Sequence, residues 1–435
     1  MISTNTTKIM KGTNMSKLRT KIAVILGFAL AISPIAFYSA NAASGGPKDS
    51  VVTLVSPFLD ASNTSEATKN QQMADEWIAK GWFGSGLLFQ VSFAPVGSTI
   101  NLTYHVTDKA GKALAFQAVN LRINKGYSEA ASIVAVDGVK TKGIDRPPFD
   151  QANVIHRTDA FGNVTFALKS LDLESSGEPQ PASFNDKPIF SDDKLDRLHS
   201  QMLPEVNSEP ADHSVITEFH YFIPKAPITV AATKPTIRLV SPALDSTNSV
   251  SSNNLKQAYA PAGGDIVVVY KVLGDDGVTA VPNAQVSLKV NGGKSTLSAT
   301  SDAFGYAVFT VKNADTKPNA APASATAAMP KASSAYANLK PEIAGTTAAA
   351  ADAVEFHYYR GITTSAVKAG GSYTLSVGIA GAAGKSATVA VSGASKVTAK
   401  INAAYQVVPV KVTAGAKTVT VTIDGKAYTS KITVK

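Results

Sequence analysis

Asp192, Asp196 and His199 fall at i, i+4 and i+7, a spacing that would set two carboxylates and an imidazole on one face of a helix over 191–203. Such a face could hold a divalent cation, although it is equally a solvated acidic surface. Trp77 and Trp82 are the only tryptophans, and with Phe83 they gather in one segment. Flat aromatics stack on sugar rings, so these three are the candidate ligand-binding residues, against the alternative that they pin an inserted helix. His220 and His357 sit in matching strands flanked by aromatics, which favours a structural hydrogen bond to a neighbouring loop. Gly381-Ala382-Ala383-Gly384-Lys385-Ser386 imitates a phosphate loop but has Ile379 where the first glycine is needed, and it joins two predicted strands. Gly84-Ser85-Gly86 lacks the context of a nucleophile elbow. Acids abound, yet nothing marks a pair for glycoside hydrolysis. The chain has no cysteine, which removes thiolate nucleophiles and cysteine metal sites. No catalytic residue, metal or cofactor is expected, and the reading is of a protein that is not an enzyme.

What would position such residues is a duplicated strand pattern. Thr158-Asp159-Ala160-Phe161-Gly162-Asn163-Val164-Thr165-Phe166 returns as Ser301-Asp302-Ala303-Phe304-Gly305-Tyr306-Ala307-Val308-Phe309. Asp bonds the backbone two residues on, and Gly supplies a positive φ. Asp159, Gly162, Asp302 and Gly305 therefore read as turn residues rather than calcium ligands. Val52–Asp60 matches Ile237–Asp245, Ile100–Val106 matches Ile266–Val272, and Val119–Asn124 matches Val286–Asn291. Each copy closes on Glu218-Phe219-His220-Tyr221-Phe222 or Glu355-Phe356-His357-Tyr358-Tyr359. Short alternating strands with turn signals between them predict Greek-key β-sandwiches.

The order of strand, D-x-x-G turn, A-x-V-x-L strand and T/S-D-A-x-G resembles bacterial immunoglobulin-like domains of the invasin and intimin adhesins, over roughly 85–225 and 236–360. The resemblance implies an all-β chain of tandem immunoglobulin-like sandwiches and is silent on ligand. Copy one carries insertions, where local function would sit. They are a short amphipathic helix over 65–82, a long loop over 126–155, and the acidic segment 170–213, in which ten acids face Lys187, Lys194 and Arg197. The matching Ala/Pro/Ser-rich region of copy two, 318–352, reads as partly helical or a loose loop. A third, smaller β-domain is expected over 362–435, with 361–367 as its linker. Expected boundaries are thus a signal peptide at 1–42 and sandwiches at 43–229, 230–361 and 362–435.

The signal peptide rests on Lys17, Arg19 and Lys21 before an apolar run and on Ala40-Asn41-Ala42 as a cleavage pattern. Residues 1–42 hold five basic groups and no acid, so the formal charge of +9 (41 basic, 32 acidic) becomes 36 − 32 = +4 after cleavage. That is no nucleic-acid signature. Charge is uneven, however: nine lysines face the single Asp424 beyond residue 361. No second apolar stretch is long enough to span a membrane. The expected role is a secreted or cell-surface, envelope-associated protein acting in adhesion, as a spacer or in envelope structure. Its partners would be anionic envelope polymers, glycans or another surface protein. The alternative is a carbohydrate-binding or carbohydrate-active protein using the copy-one insertions.

Overall fold

A computed structural model describes residues 50–59, 87–124, 134–140, 150–171, 199–207, 209–210, 214–225, 229–252, 255–312, 317–330, 335–369 and 372–435. The first sandwich is built from β1 (Ser50–Ser56), β2 (Leu87–Pro95), β3 (Thr99–Asp108), β4 (Ala118–Asn124), β5 (Val134–Val136), β6 (Val139–Lys140), β7 (Asp150–Arg157), β8 (Asn163–Ser170), β9 (His199–Val206), β10 (Glu209–Pro210) and β11 (Ser214–Phe222). Period-two alternation decides what goes inside: along β3, Ile100, Leu102, Tyr104 and Val106 are fully buried, while Asn101 and His105 point the other way. One sheet runs β1-β3-β8-β5-β6 and the other β2-β11-β9-β4-β7.

The second sandwich comprises β12 (Thr236–Ser241), β13 (Val250–Ser252), β14 (Leu255–Pro261), β15 (Ile266–Leu273), β16 (Gln285–Val290), β17 (Ser295–Thr300), β18 (Tyr306–Val311), β19 (Asn319–Ala320), β20 (Tyr336–Ile343), β21 (Ala350–Ala351) and β22 (Val354–Ala369). Its sheets are β18-β15-β12-β21 and β14-β22-β20-β16-β17; the second repeats its counterpart strand for strand, while the first keeps the β1-β3-β8 order as β12-β15-β18 but adds β21 beside β12 where the first sandwich has β5 and β6 beside β8. Even the parallel pairing of β2 with β11 recurs as β14 with β22. The third sandwich adds β23 (Ser372–Ala380), β24 (Ser386–Val391), β25 (Val397–Lys400), β26 (Tyr405–Val412), β27 (Gly415–Ile423) and β28 (Lys426–Val434). Sheet β25-β24-β27-β28 faces a sheet in which β23 lies between β26 and the second half of β22. Each sandwich has its own apolar core. The fold is all-β, tandem immunoglobulin-like sandwiches; the only helix among the described residues is the single 3-10 turn Asn291–Gly293.

Several expectations are corrected. The helix over 191–203 is not formed at 199–203: β9 occupies these residues, buried at every position between β4 and β11. Residues 191–198, with Asp192 and Asp196, lie outside the described residues. The long loop over 126–155 contains the hairpin β5–β6 and most of β7, because β8 and β4 each offer an edge for them to pair with. The Ala-rich 318–352 region contributes β19, β20 and β21, pairing overriding the helix propensity of alanine. Finally, 361–367 is no linker. β22 continues through it for 16 residues, pairing first with β14 and β20 and then with β23, so one strand enters two sandwiches. The inserted helix expected at 65–82 falls outside the described residues.

Candidate functional site

The two repeated turns have the same internal wiring. Asp159 Oδ1 accepts the N–H groups of Phe161 (2.8 Å) and Asn163 (2.9 Å); Asp302 Oδ1 accepts those of Phe304 and Tyr306, both at 2.9 Å. Gly162 and Gly305, at φ 79° and 81°, close the turns where a Cβ would strike the carbonyl of Val106 or Val272. The residue before each Asp is a hydroxyl for a reason. Thr158 Oγ1 donates to Leu114 O and accepts from Gln117 N–H, as Ser301 Oγ donates to Val281 O and accepts from Ala284 N–H.

The remaining carboxylate oxygen of each turn belongs to the other sandwich. Asp302 Oδ2 accepts the N–H of Asn101 on β3 at 2.7 Å, and Asp159 Oδ2 accepts the N–H of Val267 on β15 at 3.2 Å. Asn101 and Val267 are equivalent positions of the two repeats. The aromatic that follows obeys the same exchange: Phe304 tilts against Phe219 at 5.7 Å, and Phe161 against Phe356 at 5.6 Å. Phe219 and Phe356 again correspond. Each repeat therefore inserts its turn into its sibling, as in the self-complementary interface of a two-fold dimer. Ala303, Phe304, Tyr306 and Val269 join the first sandwich's core, and Ala160 and Phe161 pack on the second's.

Burial pushes both carboxyls up to about 7 against the pull of their three N–H donors, and Lys271 adds its charge near Asp302. Lys271 is held by Tyr306, its Nζ donating to the phenol oxygen at 3.3 Å and lying 4.9 Å from the ring centroid. Phe58 N–H donates to the same phenol at 3.0 Å.

Two equivalent clefts flank this clasp. One, of about 550 Å³, is lined by Gly97, Ser98, Thr99, Asn101, Pro282, Asn283, Thr300, Ser301 and Asp302. The other, of about 640 Å³, has Gly263, Gly264, Asp265, Val267, Phe116, Arg157, Thr158 and Asp159 in the matching places, together with Asp137, His156 and Ala404. Sequence reasoning missed this reciprocal contact, although a signal was available. Ile266-Val267-Val268-Val269-Tyr270 is a continuous apolar run, the mark of a strand buried on both faces, where the equivalent Ile100-Asn101-Leu102-Thr103-Tyr104 alternates.

The other sequence candidates lie elsewhere. Trp77, Trp82 and Phe83 fall outside the described residues. His220 and His357 hydrogen-bond not to a loop but to a carboxylate two residues back on the same strand: His220 Nε2 to Glu218 Oε1 and His357 Nε2 to Glu355 Oε1, both at 2.6 Å. Burial alone would raise Glu218; donation from His220 and Gln201 overrides it and holds the acid below the usual carboxylate range. His199 stacks on His220 at 5.2 Å, inside the sheet rather than on a helix face. Among the described residues no group of three or more His, Asp or Glu could hold a metal ion. The 381–386 segment joins β23 to β24, and its Lys385 reaches Asp424 at 3.3 Å.

No family model matches the chain, and neither does any curated protein. Among solved structures it is similar to bacterial adhesins of the invasin and intimin type. The Escherichia coli adhesin FdeC is 13% identical over 79% of this chain and 94% of its own, with a TM-score of 0.21. Invasin, a bacterial integrin-binding protein, is 17% identical over 79% of this chain and 58% of its own, with a TM-score of 0.17. The D00–D0 region of intimin is 11% identical over 61% of this chain and 93% of its own, also at 0.17. Likeness at this identity concerns the fold alone, and scores this low leave function to the chain's own geometry.

Proposed function

We propose that the chain is a non-catalytic protein of the cell surface or exterior, acting in adhesion, as a spacer or in envelope structure. The observation that supports this reading is the reciprocal clasp. It replaces a hinge between two immunoglobulin-like sandwiches with two buried carboxylates, two aromatic plugs and a shared apolar contact, while β22 carries the connection on into the third sandwich as unbroken strand. A stiff body without disulfides suits a part that presents a surface under load. The N-terminal signal pattern at 1–42 agrees with export.

Cell fractionation with N-terminal sequencing tests the reading. The expected result is a chain beginning near Ala43, recovered outside the cytoplasm and open to added protease on intact cells. A chain retained in the cytoplasm with residues 1–42 attached would overturn it.

A further inference from the structure

The two clefts beside the clasp share a frame but not their furnishing, and the difference is informative. Where the smaller cleft has Thr300 and Asn283, the larger has Arg157 and Phe116; it also receives Asp137 from the β5–β6 hairpin, which has no counterpart in the second sandwich. The frame itself does not need these groups, because the second copy folds the same way without them.

Phe116 stands in the left-handed region at φ 62°, where its counterpart Asn283, at 59°, is a residue that tolerates this backbone. A bulky aromatic there is an outlier, and such strain concentrates at binding sites. Its ring stacks on that of Tyr405 from the third sandwich, 11° between planes and 6.0 Å between centroids, and Phe116 itself lines the cleft beside Ala404. His156 Nδ1 donates to the carbonyl of Thr165 at 2.7 Å, and its Nε2 lies 3.4 Å from Asp137 Oδ2. The cleft thus sets Arg157, whose Nη1 also donates to Phe116 O at 3.1 Å, and the edge of the His156 ring beside the carboxylate acceptors of Asp137 and Asp265. Vicinal hydroxyls need that alternation, each donating to one group while accepting from another. The mixed signs disfavour a polyanion or polycation, and the volume falls within the roughly 300–1,000 Å³ of small-molecule sites.

We propose that this cleft, formed where the three sandwiches meet, binds a short uncharged saccharide through Phe116 and the Asp137, His156, Arg157 and Asp265 rim. It stands apart from the surface role, since a pure spacer would leave the cleft without a ligand.

The test is saturation-transfer NMR followed by calorimetry on the full chain, with cellobiose, maltose, lactose and N,N′-diacetylchitobiose as probes. At least one is expected to bind. Phe116→Asn, which installs the residue of the sibling position, and Asp137→Asn, which keeps an acceptor for the Ala167 N–H, should each weaken it at least tenfold in a chain that circular dichroism shows to be folded. Asn283→Ser in the opposite cleft should bind like the wild type. Should Phe116→Asn fail to fold, Asp137→Asn decides alone. Binding of none of the four sugars, or equal binding by the wild type and both cleft variants, would overturn the proposal, and neither result bears on where fractionation places the protein.

Discussion

Asp302 does three jobs at once, accepting N–H groups from Phe304 and Tyr306 within its turn and from Asn101 in the other sandwich. Asp302→Ala would strand three buried donors and should cost about 3 kcal/mol or more in chemical denaturation. Asp302→Asn keeps one acceptor oxygen and should cost less. The pH dependence follows from burial, which lifts both Asp302 and Asp159 to about 7 from an ordinary 3.8. The folded chain then holds protons that the unfolded chain has released between about pH 4 and 7. This contribution to stability is complete below that window and lost as pH rises through 7. The melting temperature should therefore decline between about pH 4 and 7 and level off above, and the double variant Asp159→Asn/Asp302→Asn should flatten the decline; an unchanged slope in that variant would assign the pH dependence to other groups. Half of this wiring is legible in the repeated S/T-D-A-F-G pattern, since an Asp turn is written in neighbouring residues. The other half joins Asp302 to Asn101 across 201 positions, and no local pattern encodes it.

At the scale of elements, β22 is where reading and structure part most instructively. Gly361 followed by Ile362-Thr363-Thr364-Ser365 has the composition of a linker, yet all five residues pair with β23. Gly361 is present for space rather than flexibility, because an added Cβ would sit 2.4 Å from that of Ala321. Glycine cannot reveal from sequence which of these two reasons applies. The strands with clean alternation, such as β3 and β27, were legible because one face is core and the other is not. β9 differs from the helix expected over 191–203 because it is buried on both faces, so it shows no alternation, and its His199 falls in helical spacing with Asp192 and Asp196 upstream. The continuity of β22 is testable with proline. Only alternate residues donate towards β23, so of Thr363→Pro and Thr364→Pro one must remove a ladder bond. That variant should lose about 1–3 kcal/mol for the stranded ladder partner, and its calorimetric trace should split, with the third sandwich melting separately from the first two. A single transition in both variants would mean that strand continuity does not couple the sandwiches.

For the whole molecule, the consequence is that charge and stiffness are segregated. The first two sandwiches are locked through each other's turns, and the stacking Phe116 and Tyr405 tie the first to the third. Lysine is concentrated in the third, where Lys400, Lys411, Lys426 and Lys431 are exposed and Lys385 is drawn to Asp424. Exposed lysines on a β-surface also discourage edge pairing, so their number alone does not name a partner. Docking on an anionic envelope polymer would differ from mere solubility in its response to salt: many weak contacts, screened over about 10 Å at 0.1 M ionic strength and far less than that at 1 M. Sedimentation of the full chain with purified cell-wall material should accordingly show retention at 50 mM NaCl that is lost by 500 mM. A variant with Lys400, Lys411, Lys426 and Lys431 changed to Gln should fail to sediment even at low salt while keeping the wild-type melting temperature, since none of the four is in a core. Retention that ignores both salt and the four substitutions would exclude the basic sandwich as the anchor and move attachment to the first two.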